Sequence, residues 1–268
     1  MGFGKSFAMA ISSIINNKVR AFLTMLGIII GIAAIILVSI MNGLTGMITD
    51  TFEEMGTETI SVSIMSRATT KKVEPQEMFD LVNENPELFS AVSPMVTMSG
   101  TVKTAESGDD SITASAQGVS EEYADMKSLD LSFGRFIQYV DCDREEKVCV
   151  IGSYEARYFF NSASAALDKT LKINGELYRI VGVLEETEDS TQSSADDCIY
   201  IPYTTAAKAN KSATISSYTL SAANKDVVND AVSKVKELLN RKIGDEDYYN
   251  VVSMMSMIEK PLSFSYVY

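Results

Sequence analysis

The sequence predicts an α+β fold: one N-terminal transmembrane helix, then an extracytoplasmic domain of short strands and helices in one or two subdomains. Three observations predict it. Residues 21–49 form a 29-residue stretch without any formal charge in a chain of 268 residues. Short strand-like and helix-like runs follow without regular βαβ alternation, which is typical of α+β proteins. All acidic residues lie at or after Asp50.

The composition excludes several function classes. The chain has 23 Lys and Arg against 36 Asp and Glu, a net charge of −13. An acidic chain lacks the clustered cations that bind phosphates, so we expect no nucleic-acid partner. The sequence has no His, which removes the commonest general base and metal ligand. We therefore expect a protein that is not an enzyme, with no catalytic, cofactor or metal site.

The uncharged stretch predicts a transmembrane helix over residues 18–48. About 20 residues at 1.5 Å each cross a hydrocarbon core of about 30 Å, and residues 22–41 are almost wholly apolar. The rival is a cleaved signal peptide, whose apolar region is about 7–15 residues long and ends at a small-residue site; residues 39–43 offer no such site. Lys18 and Arg20 precede the span, so they are expected to stay cytoplasmic while the acidic remainder is translocated.

Two features flank or interrupt this span. In residues 1–17, apolar side chains such as Phe3 and Phe7 recur at helical spacing, which indicates an amphipathic helix at the cytoplasmic interface; a frayed terminus is the alternative. Within the span, Gly27 and Gly31 lie one turn apart. Such a pair lets another helix approach closely, so we expect these glycines to pack against other transmembrane helices, with chance occurrence as the alternative.

The outer domain is predicted to cover residues 49–255, with residues 256–268 as a C-terminal tail. Its clearest local signal is Asn174-Gly175 between two alternating runs, which predicts a tight hairpin with a type I′ turn. The other expected elements are a helix at 75–85, a hairpin of 95–104 with 111–119, strands at 60–65, 147–151, 198–201 and 217–222, and an amphipathic helix at 226–240. We expect the polar run 185–197 to be a mobile loop.

The cysteines suggest one covalent link. Cys142 and Cys149 bracket a charged turn, so they can face each other across a hairpin. A disulfide is chemically permitted outside the cytoplasm, and we predict that these two residues pair. Cys198 would then remain a free thiol beside a strand, where cysteine usually acts as a small buried apolar residue.

Several motifs together resemble a known family. In chain order they are Leu23–Gly31, Gly134–Phe136, Val148–Gly152, Ile173–Val183 and Ile199–Thr205. As an ensemble, over residues 1 to about 255, they resemble the MacB/FtsX-type permeases of ABC transporters. The resemblance implies one span, a periplasmic or extracellular core domain and then three more spans. Residues 256–268 are too few to cross a bilayer, so we expect a truncated permease, or one whose further spans belong to another chain.

The resemblance also implies function and partners. Such a permease subunit couples ATP hydrolysis on a separate ATPase subunit to movement of its outer domain, for efflux or release of peptides, antibiotics or lipoproteins. ATP is bound by that partner, so no cofactor is expected here. The implied partners are the ABC ATPase, a second permease subunit in a homodimer or heterodimer, a membrane-fusion or adaptor protein, and the lipid bilayer. The implied location is the bacterial inner membrane, with a cytoplasmic N-terminus.

Other classes compete with this interpretation. A single-span adhesion or sensory protein with a ligand-binding outer domain would need no further spans. A membrane-tethered enzyme is disfavoured by the absence of His and of nucleophile motifs. Residues 50–268 carry all 36 acidic and 20 of the 23 basic residues, a net charge of −16. This charge can attract cationic peptides or simply keep the domain soluble, and the sequence leaves both interpretations open.

Overall fold

The computed structural model describes residues 18–54, 58–65, 72–104, 111–187, 191–192, 194–211 and 215–253. The chain divides into two units, Met1–Glu54 and Met55–Tyr268. The predicted interfacial helix at 1–17 and the predicted tail at 256–268 lie outside the described residues.

The first unit contains one helix, α1, Lys18–Glu54, which is 37 residues long. It begins where the predicted span begins and ends at Glu54 instead of residue 48. The side chains described in it are those of Val19, Phe22, Leu23 and residues 25–41. The large apolar ones are between 41% and 74% exposed. Within the residues whose side chains are described, no helix is long and apolar enough to cross a membrane.

The second unit mixes strands and helices, which confirms the predicted α+β class. The strands are β1 Thr59–Ile64, β2 Phe89–Thr104, β3 Ser111–Val119, β4 Leu131–Gly134, β5 Val148–Ile151, β6 Thr170–Ile173, β7 Glu176–Leu184, β8 Ile199–Pro202, β9 Ser217–Ala222 and β10 Tyr249–Ser253. The α-helices are α2 Pro75–Glu84, α3 Tyr123–Met126, α4 Tyr139–Asp143, α5 Ser153–Phe160, α6 Ala163–Ala166, α7 Tyr203–Ala209 and α8 Val228–Lys242. Two 3₁₀ turns, Lys225–Val227 and Glu246–Tyr248, flank α8.

One long strand, β2, connects two halves of this unit. The first half is the antiparallel sheet β10-β1-β9-β2 with α2 and α8; the second is the sheet β2-β3-β8-β5-β7-β4, in which β6 pairs with β2 and β7. Residues 89–95 of β2 pair with β9, whereas residues 96–103 pair with β3. The predicted strand at 95–104 was too short at its start, because β2 begins at Phe89 and its first residues, including Pro94 opposite Tyr218, pair with β9.

The strand β5, near the centre of the second sheet, is buried on both faces. Every residue of β5 is buried, and its side chains alternate between two apolar clusters. Cys149 and Ile151 join the main core, whereas Val148 and Val150 join a second cluster on the opposite face. The amphipathic helix α8 completes the main core with Val228, Ala231, Val235, Leu238 and Leu239, so the predicted helix at 226–240 is confirmed.

The hairpin between β6 and β7 is confirmed at its predicted turn. Asn174 has φ 50° and Gly175 has φ 91°, the positive values that a type I′ turn needs. The Asn174 side chain also reaches the neighbouring strand: Thr101 N donates to its Oδ1 at 3.2 Å, and its Nδ2 donates to Ser99 O at 3.3 Å. The turn is therefore fastened to β2.

The predicted disulfide between Cys142 and Cys149 is corrected by the structure. Cys142, Cys149 and Cys198 are all free thiols. Cys149 points from β5 into the main core, whereas Cys142 lies in α4 within the second cluster. The two residues therefore lie on opposite faces of the second sheet. The prediction assumed that the turn between the two cysteines joins two strands. The segment before the turn is instead the helix α4.

Candidate functional site

An acidic cleft of about 520 Å³ opens where α2 of the first half meets α4 and α7 of the second half. Its lining residues are Gln76, Phe79, Asn83, Glu121, Glu122, Tyr139, Cys142, Asp143, Glu145, Tyr203 and Thr204. Four of them are carboxylates and three are aromatic, and no Lys or Arg occurs among these described lining residues. The cleft therefore combines negative charge with aromatic surface.

The strand order explains how distant residues reach this cleft. β3 and β8 are parallel neighbours, with Val119 opposite Pro202 at their carboxyl ends. Residues that follow these two ends must lie at the same edge of the sheet, which brings Glu121 beside Tyr203. From the other half, α2 buries Met78, Leu81 and Val82 and so turns its opposite side towards the cleft. The Phe79 and Tyr203 ring centroids are 6.5 Å apart.

Glu122, in the cleft, is hydrogen-bonded to β2, the strand that both halves share. Val92 N donates a hydrogen bond of 2.9 Å to its Oε2. Burial raises the pKa of Glu122, the Val92 hydrogen bond opposes that rise, and the neighbouring Glu121 and Asp125 charges add to it. A cation in the cleft would therefore stabilise the ionised form of Glu122.

An ion pair fixes α4 at the other side of the cleft. Asp141 is 3% exposed, and Arg135 donates to it twice, at 2.6 Å and 3.0 Å. Gln138 N donates a further hydrogen bond of 2.9 Å to the same carboxylate. Burial raises the pKa of Asp141, but the Arg135 and Gln138 hydrogen bonds outweigh burial and lower it overall. This network orients Tyr139 and Cys142 towards the cleft.

Two contacts join α4 to α7. Thr204 Oγ1 donates to Cys142 O at 2.7 Å, and the Lys208 ammonium forms an ion pair with Glu145. The two helices therefore form one wall of the cleft, while α2 forms the other.

The chemistry of the lining residues favours binding over catalysis. Burial, followed by the nearby Glu121 charge, raises the pKa of the Cys142 thiol to about 12. Burial and the neighbouring Cys142 raise the pKa of Tyr203 to about 12 as well. Neither group is ionised at neutral pH, so neither is an activated nucleophile or base. In the described part of the chain, no group of three or more Cys, Asp and Glu residues is arranged to hold a metal ion.

The residues singled out in the sequence lie in different places. Cys142 lines the cleft, but Cys149 does not. Gly27 and Gly31 lie on α1, and apart from their chain neighbours and the backbone of α1 itself, no described atom lies within 4 Å of the position that a Cβ atom would take at either residue. Lys18 and Arg20 belong to the first turn of α1, but their side chains lie outside the described ones. What α1 packs against remains a prediction.

Sequence reasoning missed the cleft. Glu121-Glu122 and Asp143 to Glu145 look like solvated acidic turns, which is what most such turns are. Both turns adjoin strands of the second sheet, which is the one hint in the sequence that they lie near each other. Their proximity, however, depends on the parallel pairing of β3 with β8. That pairing is not a local property of the sequence.

Comparison with known proteins places the chain in a family. Residues 21–238 match the MacB-like periplasmic core domain. The chain is similar to the macrolide export ATP-binding/permease protein MacB of Acinetobacter baylyi, with 33% identity over 210 residues that cover 75% of this chain and 31% of the relative. The protein of the same name from Neisseria gonorrhoeae is 30% identical over 267 residues, which cover 96% of this chain and 40% of the relative. The chain thus spans less than half the length of these relatives.

Solved structures share the fold. The periplasmic region of MacB from Actinobacillus actinomycetemcomitans superposes with a TM-score of 0.57 at 20% identity, over 77% of this chain and 94% of that one. The extracellular domain of the noncanonic ABC-type transporter YknZ from Gram-positive bacteria gives a TM-score of 0.59 at 18% identity, over 73% of this chain and all of that one. Since the family match covers most of the sequence, the chain belongs to the family of the MacB-like periplasmic core domain, that of the MacB/FtsX-type ABC transporter permeases.

Proposed function

We propose that this chain is the first span and the outer domain of a permease subunit in a bacterial ABC transporter. The single observation that carries the proposal is the family match over residues 21–238, which includes most of α1 and nearly all of the strands of the second unit. The named relatives are export proteins of the ABC type. The transport role of the present chain is inferred from that relationship.

The proposed membrane placement puts residues 18–48 across the inner membrane, with the N-terminus in the cytoplasm. Support comes from the uncharged residues 21–49 and from the exposed apolar side chains of α1. Exposed apolar surface of this extent is unfavourable in water and favourable in lipid. The open stripe at Gly27 and Gly31 suits close packing against the further spans of a complete permease.

The proposed mechanism is mechanical. A separate ATPase subunit hydrolyses ATP, and the resulting motion of the spans moves the outer domains of two permease subunits against cargo or an adaptor protein. Only residues 55–58 separate α1 from β1, and β1 pairs through β9 with β2. At about 3.3 Å per residue, the 16-residue β2 extends about 50 Å through both halves. A displacement at β1 can therefore be carried into the second half.

The acidic cleft favours one kind of cargo among peptides, antibiotics and lipoproteins. Four carboxylates, of which Glu145 is already paired with Lys208, and three aromatic rings suit a cation that also carries apolar surface. The proposed cargo is therefore cationic and amphiphilic.

Purification of the full chain from its native membranes tests the proposed function. We expect an ABC ATPase subunit to co-purify, with ATP hydrolysis inhibited by vanadate. The double variant Gly27→Ile with Gly31→Ile should reduce the recovered ATPase several-fold by blocking helix packing, whereas the matched control Ala33→Ile, on another side of α1, should not. A wild-type chain that purifies without an ATPase would contradict the proposal and favour an adhesion or sensory protein.

A further inference from the structure

A glutamate in the second half is buried without a counter-ion. Glu155 lies in α5 with 0% exposure. Among the described residues, neither oxygen of its carboxylate has a partner with good hydrogen-bond geometry, and the nearby backbone N–H groups of Glu155 and Cys198 favour its ionised form less than burial disfavours it. An ionised carboxylate without a donor or a cation is strongly disfavoured in a protein interior, so this side chain is expected to be neutral.

The groups that face Glu155 from the surrounding elements are acids or weak acids. They are Tyr154 on α5, Cys149 on β5, Cys198 beside β8, Tyr200 on β8, and Asp196 and Asp197 in the turn 194–197. Among the described side chains, the cation on the same helix is Arg157, which forms an exposed ion pair with Glu186. The environment therefore favours a proton on Glu155 over an ion pair.

The turn 194–197 is held tightly against the start of α5. Gly152 N donates to Cys198 O at 2.8 Å, and Tyr154 N donates to Asp196 O at 3.3 Å. A Cβ atom on Gly152 would lie 1.9 Å from Asp196 O, so the backbone approach leaves no room for a side chain there. Asp196 is itself 3% exposed and accepts hydrogen bonds from Thr187 N and Oγ1. The carboxyl groups of Glu155 and Asp197 are thus brought together by the backbone.

We propose that Glu155 and Asp197 form a buried proton-binding site in which protonated Glu155 donates a hydrogen bond to the Asp197 carboxylate and so fastens α5 to the turn before β8. The site takes up one proton, which is bonded to Glu155. A hydrogen bond from a carboxylic acid to a carboxylate is short and charge-assisted. The site is independent of the proposed transport function.

The titration of Glu155 supports this geometry. Burial, and then the hydrogen bond to Asp197, raise the pKa of the Glu155 carboxyl from 4.5 to about 9, although the backbone N–H groups of Glu155 and Cys198 oppose this rise. At a pH between these two pKa values, Glu155 holds a proton in the folded protein and has released it in the unfolded chain. Stability therefore falls as the pH rises through this window, and the unfolding constant gains up to about tenfold per pH unit from this site.

Urea unfolding of the full chain in detergent micelles between pH 6 and pH 8 tests the site. The variant Glu155→Gln keeps the shape of the side chain but removes its titratable carboxyl group. The unfolding constant of the wild type should therefore rise with pH more steeply than that of the variant, and the difference should be about tenfold per pH unit. The matched control Glu84→Gln, at an exposed position of α2, should follow the wild-type profile. Parallel profiles for the wild type and Glu155→Gln would overturn the proposal.

A second readout uses the folded wild type and does not depend on the stability of Glu155→Gln. Carbon-13 labelling of glutamate carboxyl groups should reveal one glutamate that is still protonated at pH 7. The variant Asp197→Asn should lower its titration midpoint, because the new amide can donate to ionised Glu155. If every glutamate carboxyl is ionised at pH 7 in the folded wild type, no proton is held at this site and the proposal is wrong.

Discussion

At the scale of single residues, buried charges are held by specific partners in different ways. Asp141 is ionised because Arg135 and the Gln138 amide donate to it, whereas Glu155 has no paired cation among the described residues and faces another acid, Asp197. The sequence indicates neither outcome, since nothing in the residues next to Asp141 or Glu155 along the chain shows which groups each side chain will contact. The partners of each residue become apparent only when the strands are paired.

We predict that Asp141→Asn destabilises the full chain by about 1–3 kcal/mol at pH 7, because it removes one partner of a buried ion pair. The Arg135 side chain is 36% exposed, which places the loss nearer the lower value. Because the pKa of Asp141 is lowered in the folded protein, its contribution to the free energy of unfolding is present above the ordinary aspartate pKa. That contribution is lost as the pH falls through the lowered pKa.

Urea unfolding at pH 7 and pH 3 measures this effect. The difference between wild type and Asp141→Asn should shrink at pH 3, and the exposed control Asp130→Asn should change stability by less than about 0.5 kcal/mol. An Asp141→Asn variant as stable as the wild type at pH 7 would show that the ion pair does not hold α4.

At the scale of elements, local signals predicted hairpins and helices better than long strands. Asn174-Gly175 predicted its turn because positive φ at both positions is a local requirement. The amphipathic pattern of α8 predicted its buried face for the same reason. The predicted strand began at residue 95, whereas β2 begins at Phe89, because its first residues are held by the non-local ladder with β9. Cys142 was assigned to a strand, although its segment is the helix α4.

We predict that Asn174→Ala destabilises the full chain by about 1–2 kcal/mol. The change removes the hydrogen bonds to Thr101 and Ser99 and puts alanine at φ 50°, where asparagine is better tolerated. Urea unfolding measures the loss, and Asn229→Ala, at an exposed position of α8, is the matched control. Equal stability of Asn174→Ala and the control would mean that the turn is not fastened to β2.

At the scale of the whole molecule, short strand-like and helix-like runs without regular βαβ alternation predicted the α+β class, and the family resemblance predicted the permease family. Neither predicted the acidic cleft. The cleft depends on the parallel pairing of β3 with β8 and on α2 reaching the same edge. The predicted disulfide was wrong for a related reason, because the second sheet separates Cys142 from Cys149. Non-local strand pairing decides these features, and a single sequence carries little information about it.

The central proposal is that residues 18–48 span the membrane and that the α+β unit lies outside the cytoplasm, and cysteine labelling in spheroplasts tests it most directly. The native thiols Cys142 and Cys149 are buried, and the unmodified chain measures background labelling, including that of Cys198. We predict that Glu87→Cys, at an exposed position before β2, reacts with a membrane-impermeant maleimide in intact spheroplasts, whereas Lys5→Cys reacts only after permeabilisation. Labelling of Glu87→Cys only after permeabilisation would contradict the account.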